Sequence, residues 1–326
     1  MGHSWWGSCK GFKVPQMRII MNNHSRMNVL VIILTFNEEI HIERCIRSVQ
    51  LVATRIVVID SFSTDRTVDI ARSLGAEVIQ RKWKNYADQF QWGLDYCAME
   101  TGWTMRIDAD EYLEPDLQAE LLRVLPYLPE SVIGVYIKLK VIYRGKWIKY
   151  GGIYPLTLLR IWRSGKGRIE QRWMDEHIVI PDGAQTVVLK SHSVDSSLKG
   201  VTFWIDKHNR YATREMADIL INRYFPETSD NALTQMADPQ ARWKRVIKDK
   251  LYARLPLGYR TALYFFYRYF FLWGFLDGPK GFVWHFLQGF WYRLLVDIKV
   301  MEVESQAKGD PQKVKFILND QYGIEI

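Results

Sequence analysis

The sequence has little cysteine. Cys9, Cys45 and Cys97 are spread over 326 residues, with no C-x-x-C and no Cys/His cluster. That spacing argues against a disulfide framework or a zinc site and fits a reducing compartment. Glycine-rich phosphate loops are also missing. Neither G-x-G-x-x-G nor G-x-x-x-x-G-K-[S/T] follows the first apolar run, which disfavours a dinucleotide dehydrogenase or a P-loop NTPase. No stretch reaches the run of about 18 uncharged residues expected of a spanning helix. The first 27 residues hold Gly, Ser, His, Asn and basic residues without periodicity, and Trp5 and Trp6 could touch a membrane interface only weakly. They lack the apolar core of a secretory signal, so a leader with little order is expected, with Met17, Met21 and Met27 as alternative starts.

Aromatic residues are plentiful: 14% of the chain, with 13 Trp, much of it after residue 240. The apolar share of 48% and charged share of 25% are ordinary for a folded protein of one large domain with an appendage, or of two domains. The net charge of +8 suits nucleic acid, an acidic membrane surface, or nothing specific.

The run VLVIIL at 29–34 has the length and continuity of a central strand in a parallel sheet. Helical spacing follows at Ile42, Cys45, Ile46 and Val49. Strands are expected at 55–59, 77–80 and 104–107, and helices at 66–74 and 87–99, with Gly75 as a helix stop. The alternation predicts an α/β fold with a mostly parallel central sheet. Ligands in such sheets bind beyond the carboxyl ends of the strands, where three polar loops fall: 35–39, 60–65 and 108–111. In the last of these, Asp108 and Asp110 stand two apart at a strand end. On an extended chain they share a side and repel unless a cation intervenes. Hard cations such as Mg²⁺ or Mn²⁺ take such oxygens and complete their shell with substrate phosphates. The bland reading is an acidic turn before a helix at Pro115.

Three motifs stand in order: T-F-N-E-E at 35–39, V-V-I-D-S-x-S-x-D-x-T at 57–67, and D-A-D-E at 108–111. Together they resemble the family 2 glycosyltransferases of the GT-A fold, in particular the bacterial branch that builds lipopolysaccharide core, O-antigen or capsule and includes the core β-glucosyltransferases. The resemblance covers roughly residues 29–211. It implies that Thr35, Asn37 and Glu39 line a nucleotide pocket. Asp60, with Ser61 nearby, would hold the base or ribose of a UDP-type donor. Asp110 would ligate Mn²⁺ or Mg²⁺, and Asp108 would meet the ribose or reach the metal through water. Asp65 reads equally as a helix cap. One departure is Phe90, where relatives often carry Lys or Arg; Arg81, Lys82 or Lys84 are the expected substitutes.

The resemblance also implies a general base near residue 176. Inverting transfer needs a carboxylate to take the acceptor hydroxyl proton; Glu176 is the first choice and Asp175 the second. His177 would orient the acid or act on the leaving diphosphate, though Asp175 and His177 could equally form a structural ion pair. The K-H-N-R-Y segment at 207–211 is similar to that of these enzymes, so Lys207 and Arg210 are expected to contact phosphate; a solvated helix face is the alternative. A nucleic-acid partner rests on net charge alone and is not expected.

The expected organisation is a leader (1–27), a catalytic domain (28–221), linker helices (222–254), a membrane-interface helical hairpin (255–304) and a tail (305–326). Large aromatics mixed with Arg254, Arg260, Arg268, Lys280 and Arg293 suit helices lying flat in an anionic interface, with Arg268 and Arg293 snorkelling; a soluble hairpin or an oligomer contact is the other reading. The functional expectation is a metal-dependent inverting transferase. It would be peripheral on the cytoplasmic face of the inner membrane and move a sugar from a nucleotide diphosphate to a lipid-linked or core saccharide. A non-catalytic membrane-associated scaffold is the alternative.

Overall fold

The structure is a computed structural model and describes residues 28–170, 176–226 and 258–324. The leader, Asp175 and most of the expected linker lie outside the described residues. The apolar run forms β1 (Val29–Thr35), buried at every position but Leu34. A strand covered on both faces belongs in the middle of a sheet. Accordingly, β1 pairs in parallel with β2 (Arg55–Asp60) on one side and β4 (Trp103–Arg106) on the other, and β3 (Glu77–Gln80) continues beyond β2. Alternate residues of β1 serve opposite layers. Val29, Val31 and Ile33 pack with Ile42, Cys45, Ile46 and Val49 of α1 (Ile42–Val49), the spacing read from the sequence. Leu30 and Ile32 pack with Ala87 and Phe90 of α3 (Tyr86–Tyr96). That helix comes so close to the sheet that a Cβ on Gly93 would stand 2.1 Å from Ile59 Cδ1. On the α1 side, α2 (Thr67–Ser73) packs Ala71 into the same core and closes at Gly75, whose φ of +81° is the left-handed stop.

The second half of the sheet is mixed. Past β4 come β8 (Leu156–Arg163), β6 (Val132–Tyr143), β11 (Gln185–Asp195) and β5 (Glu111–Leu113). β8 runs antiparallel to both its neighbours, β11 runs parallel to β6, and β5 antiparallel to β11. β7 (Lys146–Ile148) folds back on the end of β6 as a hairpin arm. A separate ribbon joins β9 (Arg168–Ile169) to β10 (Ile178–Val179). One helix, α4 (Pro115–Val124), lies with α1 against β11 and β5.

Beyond the sheet, α5 (Val201–Tyr224) outruns the expected domain end at 221. α6 (Tyr259–Phe266) continues as a π-helical turn through Phe271, the chain reverses at Trp273, and α7 (Gly278–Phe286) leads through a second π-helical turn into α8 (Tyr292–Ala307). The expected tail is instead packed structure. α9 (Pro311–Tyr322) buries Val314 and Leu318 against Met216, Leu220, Val300 and Val303. Among the described residues no helix is long and apolar enough to cross a membrane.

Candidate active site

The first two strand-end loops are tied to each other. Thr35 Oγ1 donates to Asp60 Oδ1 at 2.9 Å, and Ser61 N to Thr35 O at 2.9 Å. Asn37 takes φ +55°, a conformation that asparagine tolerates. Its amide oxygen accepts Thr64 N at 2.8 Å while its own N–H donates to Ser63 Oγ. Glu39 accepts Arg66 N and gives its N–H to Asp65, both at 3.1 Å. Asp65 also accepts Thr67 N at 2.9 Å, so it caps the start of α2. Asp60 is fully buried and takes the Thr35 and Ser63 hydroxyls, Ser63 N and Gln80 Nε2. Those donors fill the lone-pair sites of a carboxylate. Ser61 Oγ accepts Gln89 Nε2 at 3.2 Å. Thr35, Asn37, Glu39, Asp60 and Ser61 are thus brought together, and the loops are preorganised by their own bonds.

The acidic motif is not an extended chain. β4 ends at Arg106, and residues 108–111 form a turn closed by Glu111 N donating to Asp108 O at 2.9 Å. Asp108 and Asp110 therefore do not share one side of an extended strand, contrary to the expectation from their spacing. The turn meets Asp108 with Arg106 Nε at 3.7 Å, Arg160 Nη2 at 3.6 Å and the Tyr86 hydroxyl at 2.5 Å. Burial would raise the Asp108 carboxyl, but the two guanidiniums and the phenol outweigh it and hold the group at about 2. Asp110 has Lys207 Nζ at 3.5 Å and accepts no side-chain hydrogen bond from the described residues. Its main-chain oxygen is fixed by Arg44 at 3.1 Å and Ser196 N at 3.2 Å. Of the two expected metal ligands, Asp110 has one ion-pair partner, at Oδ2, whereas Asp108 has three partners.

Two further acids close the cluster. Glu111 and Asp195 stand opposite each other on β5 and β11. Glu111 is buried in an ion pair with Arg160. Burial and the charges of Asp108, Asp195 and Asp110 push it up to about 8 against that guanidinium. Burial and then the charge of Asp110 push Asp195 up to about 7. Burial works against the Lys207 ammonium, but Asp110 overcomes it and holds the pKa above the ordinary lysine value. No group of three or more His, Cys, Asp or Glu side chains converges as a metal cage among the described residues. A hard cation bound by one carboxylate and substrate phosphates needs no such cage, so Asp110 fits that role.

Glu176 lies beside this cluster: its main-chain oxygen accepts Arg106 Nη1 at 3.1 Å. His177 has Glu170 as partner, with Nδ1 3.5 Å from Oε2. Of the basic residues on α5, Lys207 turns into the site, with its ammonium 5.7 Å from the Tyr211 ring. Arg210 is exposed, Arg214 lies over Trp83 and Tyr211, and His208 stacks on Trp204 with its pKa lowered by burial to about 4. Lys199 straps the start of α5 to the first loop through Asn37 O and Glu38, both at 2.7 Å.

Residues 30–193, half the chain, match the profile of Glycosyl transferase family 2. The chain belongs to that family. An uncharacterized glycosyltransferase of Rickettsia typhi is 39% identical over 114 residues, or 35% of this chain and 38% of that protein. A lipopolysaccharide core biosynthesis glycosyltransferase of Rhizobium meliloti is 32% identical over 160 residues, or 46% of this chain and 56% of that protein. The matched stretches thus span between about two fifths and just over half of these relatives' lengths. Among solved structures, glucosyl-3-phosphoglycerate synthase from Mycobacterium tuberculosis, in complex with Mn²⁺ and UDP, is 26% identical over 37% of this chain and 45% of that chain, with a TM-score of 0.29.

Several site residues of this family 2 chain escaped sequence reading. Arg106 precedes Asp108 by two, and Arg160 interrupts the apolar strand LTLLRIWR; a charge in such a run must find a partner. Phe90 is a core residue against Tyr86 and Trp162, and Arg106 brings its guanidinium to 4.4 Å from the Tyr86 ring and 5.6 Å from that of Phe90. The cation that lies over this helix is thus carried by β4. Of the expected substitutes, Arg81 is held by Asp88 and Gln89, and Lys82 and Lys84 are exposed. Asp195 carried no sequence signal, because β11 itself was not read.

The raised Asp195 pKa has a measurable consequence. Its unfolded value is about 4, so between about pH 4 and 7 the folded state holds a proton that the unfolded chain has lost. Stability from this group is therefore present below about pH 4 and lost as pH rises through 7, by at most about 1.4 kcal/mol per pH unit. Asp195→Asn is expected to flatten this slope. Denaturation midpoints at pH 5 and 8, without divalent metal, check it; an unchanged slope assigns the proton elsewhere.

Proposed function

We propose that the chain transfers a sugar, with inversion, from a nucleotide-diphosphate donor of the UDP type to a lipid-linked glycan or lipopolysaccharide-core acceptor, at the cytoplasmic face of a membrane. The observation that carries this reading is the meeting of three strand-end loops, with a partly exposed Asp110 beside a lysine held in its charged form. Such a place is where an α/β sheet binds ligands. The name of the Rhizobium meliloti relative supports the core acceptor.

In this reading loops 35–39 and 60–65 wall the nucleoside. Asp60 keeps them in register through its bonds to Thr35 and Ser63. Lys207 would face the diphosphate from α5, and Asp110 would hold Mn²⁺ or Mg²⁺. The metal supplies charge stabilisation of the leaving diphosphate. Asp108, held by Tyr86, Arg106 and Arg160, contacts the ribose in this reading. Glu176 takes the proton of the attacking hydroxyl.

The experiment is a panel of nucleotide sugars assayed for UDP or other nucleotide release with Mn²⁺ and again with EDTA. Release from one donor, lost in EDTA, is expected. No release from any donor, with the fold intact, would leave the scaffold reading standing.

A further inference from the structure

The aromatic hairpin carries an exposed apolar face. Leu263, Phe266, Phe270, Phe271, Trp273 and Leu276 are each 50% exposed or more. Large exposed apolar patches mark interaction sites. Between residues 259 and 296 the single acid is Asp277, and it is buried. The exposed face therefore carries no negative charge of its own.

The hairpin arginines do not supply its positive charge. Arg260 is buried in an ion pair with Asp297, Arg268 is buried and donates to Gly151 O at 2.7 Å, and Arg293 pairs with Glu215 at 2.5 Å. The expectation that Arg268 and Arg293 snorkel to headgroups is corrected: both are spent inside the fold. Exposed cations come instead from the catalytic sheet. Arg144 and Lys146 flank the β6–β7 turn, Lys149 follows β7, and Lys280 on α7 donates to Arg144 O at 2.9 Å. They form a basic rim beside the apolar face.

Hairpin and sheet are bolted together by buried groups. Asp277 accepts Lys149 N at 3.0 Å, Tyr150 N at 3.1 Å and His285 Nε2 at 3.0 Å. Gly151 N donates to Leu272 O at 2.8 Å, beside the Arg268 bond. Gly151 has φ +68°, and a Cβ there would stand 2.3 Å from His285, so the close approach requires glycine.

We propose that the exposed hairpin face and the β6–β7 rim form one docking surface for an anionic bilayer, with aromatics entering the interface and Arg144, Lys146, Lys149 and Lys280 meeting headgroup phosphates. This deepens the membrane reading above and rests on it. Charge complementarity and a surface of aromatic and aliphatic residues at headgroup depth select the lipid. Because Asp277 and Arg268 fix the hairpin to β7, docking sets the height of the catalytic sheet above the bilayer.

The test is flotation of the full chain with phosphatidylcholine vesicles and with vesicles that also contain phosphatidylglycerol. Two variants are compared: Arg144→Glu/Lys146→Glu/Lys149→Glu on the rim, and Phe266→Ser/Phe271→Ser on the face. Nucleotide release without acceptor, expected unchanged in both, reports an intact site. Wild type is expected to prefer anionic vesicles. The rim variant should bind them about a hundredfold more weakly, and the face variant should lose both vesicle types. Wild-type-like flotation by both variants overturns this surface and leaves membrane association standing. Wild type floating with neither vesicle overturns the membrane reading itself. A wild-type dimer that Phe266→Ser/Phe271→Ser makes monomeric, without vesicle binding, makes the face a contact between copies and also overturns the proposal.

Discussion

Asp110→Asn is expected to reduce sugar transfer by at least about a hundredfold while the fold survives. Asp110 is the acid of the turn whose carboxylate accepts no side-chain hydrogen bond from the described residues, and its nearest cation is Lys207 at 3.5 Å. Removing its charge leaves the main-chain bonds from Arg44 and Ser196 in place, because they go to the backbone oxygen. Calorimetry of UDP with Mn²⁺ should show the loss, with circular dichroism unchanged. Asp108→Asn is the informative companion. It strips the counter-charge from Arg106 and Arg160, both largely buried. Leaving buried charges short of a partner costs about 3–5 kcal/mol, reduced here because Glu111 still accepts a hydrogen bond from Arg160. That variant should lose stability first and metal affinity less. If Asp110→Asn binds UDP and Mn²⁺ like wild type, Asp110 is not the metal ligand.

Glu176→Gln is expected to keep donor affinity and to lower transfer by about 10²–10⁴-fold, since an amide cannot take a proton. The backbone of Glu176 is anchored on Arg106, whose guanidinium also faces Asp108. The substitution leaves that anchor intact, so a loss confined to turnover reports the chemical step. Single-turnover transfer beside donor binding separates the two. Transfer near the wild-type rate would move the base elsewhere, with Asp175 tested next.

Much of the parallel half was legible because its signals are local. The continuous run at 29–34 has no other home than a central strand, and the α1 spacing names the residues that cover it. What escaped depends on partners distant in sequence. β5 is three residues long, and β11 is half exposed along much of its length, so neither gives a periodic pattern. Asp195 joins the site only because those two strands pair. The motif D-A-D-E was visible, but its turn was not, and the turn decides that Asp108 faces two arginines while Asp110 faces a lysine. In the hairpin the aromatics are exposed, but Arg260, Arg268 and Arg293 are paired within the fold rather than offered to headgroups. Their partners, Asp297, Gly151 and Glu215, lie 37, 117 and 78 residues away in sequence.

The central claim is that the donor binds across the carboxyl ends of β1, β2 and β4, and amide hydrogen exchange with and without UDP and Mn²⁺ tests it most directly. Ordered ligand contacts raise the local cost of opening. The account predicts new protection in residues 35–39, 60–65 and 108–111 and around Lys207, and none at the opposite end of the sheet near Thr54 and Gly75. Binding without protection in those three loops, or with protection concentrated elsewhere, would contradict it.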